Sequence, residues 1–179
     1  MPRLLGVAGP AGTGKGEVAK VLQEFGWKSI KMSAPLKDML ICLMARQGET
    51  PADIDRMIEG DLKEEPCFYG VTPRHLMQTL GTDWGRGLIR EDFWVDMVGL
   101  TIADALGNGH SVVVDDVRFQ NEVDMIRLLG GSVVYVYRAE RDRNPGSHPS
   151  EGAPIMPDAF LYNNGTLPEF HDKITRMFT

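Results

Sequence analysis

Stretches that look like strands alternate with stretches that look like helices along almost the whole chain. Runs rich in apolar and β-branched residues predict strands at 3–8, 27–32, 111–115 and 132–137. Between them, apolar residues recur every three or four positions, as on the buried face of a helix. This alternation is typical of helices packed on a parallel sheet, so the pattern predicts a three-layer α/β/α fold with a mainly parallel sheet.

Five helical stripes can be named by the residues that should face a core. They are Val18, Val21, Leu22 and Phe25; Leu36, Leu40, Leu43 and Met44; Trp94, Met97, Val98, Thr101 and Ala105; Phe119, Val123, Ile126 and Leu129; and Leu167, Phe170, Ile174, Met177 and Phe178. Thr166 and Glu169 form a capping box before the last stripe, which we expect to pack on the sheet.

Two stretches fit poorly as core. Residues 48–70 are polar and acidic, and residues 138–157 are rich in proline and arginine. We expect both to be insertions over the carboxyl edge of the sheet within a single domain, 1–179, where ligands bind in such folds. Insertions of this kind often act as lids that exclude water, and ordinary surface loops are the alternative.

A glycine-rich segment directly follows the first predicted strand and precedes the first predicted helix. It reads Gly9, Pro10, Ala11, Gly12, Thr13, Gly14, Lys15 and Gly16. In this context small residues let backbone N–H groups converge on a phosphate, the helix presents its positive end, and the lysine reaches the transferred group. The segment predicts a site for a nucleoside triphosphate; a glycine-rich turn with a chance lysine is the alternative.

The residues after Lys15 indicate how a Mg²⁺ ion would be held beside the nucleotide. Gly16 stands where many phosphate-binding loops place a serine or threonine, and Glu17 follows it. No direct hydroxyl ligand is therefore present, and we expect Mg²⁺ to be held through water and by the nucleotide's own phosphates. The apolar run 112–114 ends in Asp115 and Asp116, either of which would orient metal-bound water or accept a proton. A helix N-cap is the alternative for this carboxylate pair.

Composition narrows the setting further. The 179 residues fit one domain, and the net charge of −6 argues against a broad nucleic-acid surface. No stretch approaches the ~20 apolar residues of a membrane span, and no signal sequence opens the chain, so we expect a cytoplasmic protein. In that reducing compartment Cys42 and Cys67 should remain thiols.

Several segments together resemble one family. The run from Asp116 to Glu122 resembles the D-V-R-F-x-N-E segment of bacteriophage-type deoxynucleoside monophosphate kinases. Residues 33–37 resemble that family's segment after the second strand, and residues 78–86 resemble its Q-x-x-G-T-x-x-G-R segment. Residues 92–94, 148–151 and 164–167 extend the likeness. The G-x-G-K-G ending of the glycine-rich loop resembles adenylate-kinase-type enzymes, although those usually have threonine where this chain has Glu17.

This resemblance implies direct in-line transfer of a phosphoryl group from ATP, with Mg²⁺, to a deoxynucleoside monophosphate. By matched position, Lys37, Arg74, Arg86 and Arg118 become candidates for the acceptor's phosphate, and Gln78, Asp83 and Trp84 for its base. Lys15, Asp116, Arg118, Arg138 and Arg141 become the catalytic candidates, with Arg143 a further arginine of the lid. Glu17, Asn164 and Gly165 join the glycine-rich loop as candidates for binding ATP.

The resemblance also implies a bacteriophage source, small-molecule partners only, and a monomer or homodimer in the host cytoplasm. Two alternatives stay open. In the first, the acceptor is another phosphorylated small molecule such as phosphomevalonate, because animal-type phosphomevalonate kinases resemble the same core. A hydrolytic switch with no acceptor would use the same glycine-rich loop.

Overall fold

The computed structural model describes residues 3–67, 69–139 and 154–178. Within it the chain divides into two compact units. The first, here the sheet unit, comprises Met1–Met32 and Val98–Thr179. The second, here the helical unit, comprises Ser33–Met97. Across the described residues the α-helices are α1 (Lys15–Glu24), α2 (Ala34–Arg46), α3 (Pro51–Ile58), α4 (Pro73–Gln78), α5 (Phe93–Gly107), α6 (Gln120–Leu128) and α7 (Leu167–Phe178).

The sheet has five strands, and every neighbouring pair is parallel. They are β1 (Leu4–Ala8), β2 (Lys28–Ser29), β3 (Val112–Val117), β4 (Ser132–Tyr137) and β5 (Ala159–Tyr162), in the order β2-β3-β1-β4-β5. The predicted parallel sheet is confirmed, and β4 has the predicted bounds. The prediction of a six-residue second strand was wrong, because only two residues of β2 pair with β3. The short β5 was missed.

Helices cover both faces of the sheet, which confirms the three-layer prediction. On one face, α1 and α7 pack against strand residues that alternate toward them. That core includes Leu5, Val7, Val18, Leu22, Val113, Val134, Val136, Leu161, Phe170 and Ile174. On the other face α6 lies very close, since a methyl group at Gly6 would stand 2.6 Å from Cδ1 of Ile126. Glycine at this position of β1 therefore permits the contact.

Some residues of the predicted stripes are on the surface. Phe25 is 52% exposed, and the other exposed members are Leu43, Met97, Thr101, Leu167 and Met177. Phe25 follows the last residue of α1, and Leu167 is the first residue of α7. A periodic pattern that overruns a helix end or the edge of its buried face leaves such residues in water, which is common for apolar side chains.

The helical unit has its own core, which includes part of the stretch expected to be an insertion. Ile54, Met57 and Ile58 of α3 pack with Leu36, Leu40, Met44 and Trp94. The expectation that residues 48–70 fit poorly as core was therefore wrong for α3. Thr50 caps this helix by accepting a hydrogen bond from the Asp53 N–H at 3.2 Å. The capping threonine and the i, i+3, i+4 spacing of the three apolar residues would have predicted this helix from the sequence.

Two further findings bear on the setting. Among the described residues, no helix combines the length and the apolar character needed to span a membrane. Cys42 and Cys67 are both thiols, as predicted.

Candidate active site

The glycine-rich loop between β1 and α1 adopts a conformation that requires its glycines. Gly9, Gly12 and Gly14 have φ angles of 133°, 76° and 106°, which side chains of L-residues rarely adopt. A methyl group at Gly9 would lie 2.6 Å from the carbonyl oxygen of Val136. The loop thus follows the backbone of β4 closely before α1 begins at Lys15.

Two buried polar side chains hold this loop. Thr13 donates its hydroxyl to the carbonyl of Pro10 at 2.9 Å. Asn163, which follows β5, donates its side-chain amide to the carbonyl of Thr13 at 2.8 Å, and its backbone N–H donates to Tyr137 at 2.8 Å. Asn163 therefore ties the loop to the ends of β4 and β5. Sequence reasoning missed this residue and named its neighbours Asn164 and Gly165, because a single asparagine after an unrecognised strand carries no distinctive signal.

The Lys15 ammonium group lies over the loop. Its Nζ donates to the carbonyl oxygens of Gly9 at 2.7 Å and Pro10 at 2.8 Å. The positive charge thus stands beside the N-terminus of α1, where the helix dipole also favours an anion. A methyl group at Gly16 would meet nothing within 4 Å. There is therefore room for a serine or threonine side chain at this position, although the chain has glycine there.

Glu17, in the first turn of α1, has a partner that the sequence did not suggest. Its Oε2 lies 2.8 Å from Nε2 of His171 on α7. Both side chains are about one third exposed. The contact holds the unusual carboxylate of this loop against α7.

The two aspartates of β3 lie inside the strand, within a bulge. Gly6 of β1 is opposite Val114, whereas Ala8 is opposite Val117, so β3 has one extra residue in this interval. The expected strand end at Asp115 was therefore wrong. The helix N-cap alternative is also excluded, because α6 begins only at Gln120. Bulges change the direction of side chains and are frequent beside active sites.

The bulge gives the two carboxylates different surroundings. Asp116 Oδ1 accepts a hydrogen bond from the Met32 N–H at 2.7 Å. Asp115 Oδ1 is buried and has no hydrogen-bond partner within the described parts of the chain. Burial raises the pKa of Asp115, and the charge of Asp116 raises it further, whereas the charges of Lys31 and Lys15 act against them. The positive charge of Lys15 in the loop therefore acts on Asp115.

Arg118 lies exposed in the turn between β3 and α6, and a buried glutamate fixes that turn. Glu122 Oε2 accepts hydrogen bonds from the N–H groups of Arg118 at 2.7 Å and Phe119 at 3.1 Å. Glu122 belongs to the matched D-V-R-F-x-N-E segment, but sequence reasoning gave it no role. Its function here is to position the backbone that carries Arg118.

The segment after β4 joins the loop that follows β5. Arg138 is half-buried directly after β4, and the N–H of the next residue, Ala139, donates to Asn164 Oδ1 at 3.1 Å. A methyl group at Gly165 would lie 2.5 Å from Glu169 Oε2, so a side chain there would displace the carboxylate that caps α7. The predicted lid residues Arg141 and Arg143, and the matched segment 148–151, lie outside the described residues.

The helical unit contains three of the four predicted acceptor-binding cations, each with a carbonyl or carboxylate partner. Lys37 Nζ lies 2.5 Å from Glu59 Oε1, and Arg74 forms an ion pair with Glu64. Arg86 donates from Nη1 to the backbone carbonyl of Glu91 at 3.2 Å. These three positive groups therefore lie on α2, on α4 and in the segment that follows α4.

The matched segment 78–86 forms an unusual helix. Residues Thr79–Ile89 are a π-helix, a wide form that is rare and often found at functional sites. The indole of Trp94 donates to the carbonyl of Gly81 at 2.8 Å. A side chain at Gly85 would overlap that indole. Gly85 therefore lets the wide helix lie directly on the tryptophan.

The three predicted base-binding residues lie on or next to this helix. Gln78 precedes it and is half-buried, and Asp83 is exposed. Trp84 is half-buried, with its ring edge-on to Phe93 at 5.6 Å between ring centroids. Trp84 thus packs against the core of the helical unit.

A parallel sheet with a glycine-rich loop, a lysine at the start of α1 and a carboxylate bulge on the neighbouring strand defines a P-loop nucleotide-binding protein. A family model for deoxynucleotide monophosphate kinase matches residues 69–174. The chain belongs to this deoxynucleotide monophosphate kinase family, which confirms the resemblance seen in the sequence.

Individual relatives support the same family assignment. A protein of Acanthamoeba polyphaga mimivirus, named for the same activity, is 32% identical over 96% of this chain and 93% of its own length. The deoxynucleotide monophosphate kinase of Enterobacteria phage T4 is 33% identical over 56% of this chain and 43% of its own length. This chain therefore spans less than half of the phage relative. A sugar kinase from Janibacter sp. HTCC2649, solved without ligand, is 14% identical with a TM-score of 0.50, over 98% of this chain and 94% of its own, and shares the fold alone.

Proposed function

We propose that this protein transfers the γ-phosphoryl group of ATP directly to the phosphate of a deoxynucleoside monophosphate, which yields ADP and a deoxynucleoside diphosphate. The observation that carries the proposal is the P-loop, in which three left-handed glycines place Lys15 at the start of α1. Membership of the deoxynucleotide monophosphate kinase family supports the choice of acceptor. Such transfer needs positioning and positive charge more than covalent chemistry.

On the ATP side, the loop would bind the phosphates through its backbone N–H groups and the N-terminus of α1. Lys15 already lies over the loop, bonded to two carbonyl oxygens that a phosphate oxygen would replace. Its charge would then stabilise the charge that develops as the phosphoryl group moves. Asn163 and Thr13 would contribute by holding the loop in this conformation. Asn164 and Gly165 remain candidates for the adenine edge.

The residues present fit a water-held Mg²⁺. Within the described part of the chain, the buried Oδ1 of Asp115 has no hydrogen-bond partner, and Asp115 lies close enough to Lys15 for the charge of that lysine to counteract the rise in its pKa. A carboxylate oxygen in this position would accept a hydrogen bond from a metal-bound water. When bound, Mg²⁺ would neutralise charge on the ATP phosphates. We therefore assign the water-binding role to Asp115 and the role of fixing the segment at Met32 to Asp116.

On the acceptor side, the candidates for the monophosphate are Lys37, Arg74, Arg86 and Arg118, and arginine suits the planar fork of phosphate oxygens. Glu122 would orient the turn that carries Arg118. Gln78, Asp83 and Trp84 remain the candidates for the base. Arg138, with Arg141 beyond the described residues, would add positive charge to the transferring group.

The test is a coupled assay of ADP release across the common deoxynucleoside and ribonucleoside monophosphates, with phosphomevalonate included. We expect ADP release only when a deoxynucleoside monophosphate is present. Lys15→Met should lose this activity. Its matched control is Lys20→Met, because Lys20 is an exposed lysine farther along α1. Release of phosphate with no acceptor would instead favour a hydrolytic switch. If ADP were released with phosphomevalonate and with no nucleoside monophosphate, the acceptor would be phosphomevalonate rather than a deoxynucleoside monophosphate.

A further inference from the structure

Three positively charged side chains of the helical unit form one cluster around two carboxylates. Lys37 comes from α2, Arg74 from α4, and Lys63 from the 3₁₀ helix Asp61–Glu64 between α3 and α4. Glu59 lies between the two lysines, with Oε1 at 2.5 Å from Lys37 Nζ and Oε2 at 3.7 Å from Lys63 Nζ. Arg74 pairs with Glu64. No sequence motif singled out Lys63.

Both lysines are more enclosed than lysines usually are. The side chain of Lys37 is 14% exposed and that of Lys63 is 25% exposed. Burying a lysine costs free energy unless a negative group offsets the lost hydration. Three cations share the charges of two carboxylates here, so the cluster retains an excess of one positive charge.

The electrostatics of Lys63 agree with this count. Burial lowers the pKa of Lys63, the charge of Glu59 raises it, and the charges of Lys37 and Arg74 lower it further. Lys63 therefore lies near enough to both other cations to be repelled by them. A like-charge cluster of this kind suits the binding of an additional anion, which would remove the repulsion.

Glu59 is the carboxylate that an anion would replace most easily. It uses one oxygen for each lysine, as a phosphate would, but it carries a single charge and its side chain is 44% exposed. Because the Glu59 side chain is 44% exposed, its carboxylate regains hydration when another anion takes its place beside the two lysines. A phosphate monoester carries more charge and more oxygen atoms.

We propose that Lys63 is a further substrate-binding residue, which joins Lys37 and Arg74 in binding the phosphate of the acceptor, and that Glu59 occupies this position until the monophosphate displaces it. The identity of the ligand as a deoxynucleoside monophosphate rests on the proposed function. The cluster's preference for a phosphate group does not depend on it. A purely structural ion-pair network is the competing explanation.

The experiment compares Lys63→Met, Lys63→Arg and Glu59→Gln with the wild type. The matched control is Arg46→Met, which removes one exposed positive charge from the end of α2 in the same unit. For each protein we would measure the KM of ATP, the KM of a monophosphate that the wild type phosphorylates, and the Tm with and without inorganic phosphate. An unreactive ATP analogue would fill the P-loop during the Tm measurements, so that phosphate reports on the cluster.

We expect Lys63→Met to raise the KM of the monophosphate by about tenfold, the loss of one charge-assisted hydrogen bond, with the KM of ATP unchanged. Lys63→Arg should keep most of the affinity, and Arg46→Met all of it. Glu59→Gln should lower the KM of the monophosphate, because the competing carboxylate is gone. Inorganic phosphate should also raise the Tm of Glu59→Gln more than that of the wild type.

An unchanged KM of the monophosphate in folded Lys63→Met would overturn the role of Lys63. A KM that stays the same or rises in Glu59→Gln would overturn the displacement of Glu59 and favour the structural network. If the wild type phosphorylates no monophosphate, the proposed function fails. The Tm measurements with inorganic phosphate then decide the cluster alone: no phosphate-dependent rise in the wild type and in Glu59→Gln would overturn it.

Discussion

At the scale of single residues, the bulge in β3 gives two neighbouring aspartates different surroundings and different proposed roles. Asp116 accepts a backbone hydrogen bond and fixes the chain at Met32, whereas Asp115 has a buried oxygen with no partner among the residues that the structure describes. The sequence presents them as an equivalent pair, because nothing in two successive carboxylates reveals a one-residue change of register. Because their surroundings differ, we expect substitutions at the two positions to change the stability of the protein in opposite directions.

We expect Asp115→Asn to be more stable than the wild type at pH 7 and to have a kcat lower by on the order of 10². The raised pKa of Asp115 means that its stabilising contribution is complete below the pKa of the unfolded chain and is lost as the pH rises through the folded-state pKa. The ionised group therefore costs stability at neutral pH, and asparagine removes that cost. Thermal melts and initial rates would measure both effects.

The pH supplies the internal control. The gain in Tm should vanish in acid, where the wild-type carboxyl is protonated in both states. Asp116→Ala should behave differently and lose about 1–3 kcal/mol, because the buried N–H of Met32 would lose its partner. A variant at Asp115 that is less stable at pH 7 but fully active would reverse this assignment.

Lys15 carries the second prediction at this scale. Lys15→Met should lower kcat by on the order of 10² or more while the protein stays folded, because charge stabilisation of a moving phosphoryl group contributes several kcal/mol. Initial rates at saturating substrates and a thermal melt measure the two parts. Lys20→Met, on the exposed side of the same helix, should have normal rates. Near-normal turnover in folded Lys15→Met would remove the P-loop from the mechanism.

At the scale of elements, the π-helix depends on one glycine. We expect Gly85→Ala to destabilise the protein by about 1–3 kcal/mol, because its methyl group would overlap the indole of Trp94. Gly87→Ala is the matched control, since the nearest atom to its methyl group would be the carbonyl oxygen of Thr82 at 3.5 Å. Chemical denaturation of both variants gives the comparison. Equal stabilities would show that the helix does not pack on Trp94 in this way.

Arg86 lies on the same element and tests the acceptor assignment. Arg86→Ala should raise the KM of the monophosphate or lower kcat, with the affinity for ATP little changed. Titration with each nucleotide separately makes the distinction, and Arg90→Ala, an exposed arginine paired with Asp96, serves as the control. Lost ATP binding with intact acceptor binding would require the two sites to be exchanged.

The sequence predicted the elements whose signal is local. The P-loop, α1, β4 and the capped α7 each follow from a short run of residues, and the structure places them as expected. It did not predict β5 or the π-helix, because a four-residue strand and a wide helical turn exist only through their neighbours. Similarly, Asn163 and His171 reach the P-loop from more than 140 residues away along the chain, and no spacing rule connects them.

At the scale of the whole molecule, the two compact units hold different parts of the predicted chemistry. The sheet unit contains the P-loop, the carboxylate bulge and Arg118, and the helical unit contains Lys37, Lys63, Arg74 and Arg86. Each unit has its own hydrophobic core. A kinase needs both a donor and an acceptor site, whereas a hydrolytic switch needs only the first.

The most direct test follows the γ-phosphate of radiolabelled ATP in the presence of a deoxynucleoside monophosphate. The account predicts that the label appears in a deoxynucleoside diphosphate, that it is absent from the products when the acceptor is omitted, and that Lys15→Met abolishes the transfer. Label that appears only as inorganic phosphate, at the same rate with or without the acceptor, would contradict it.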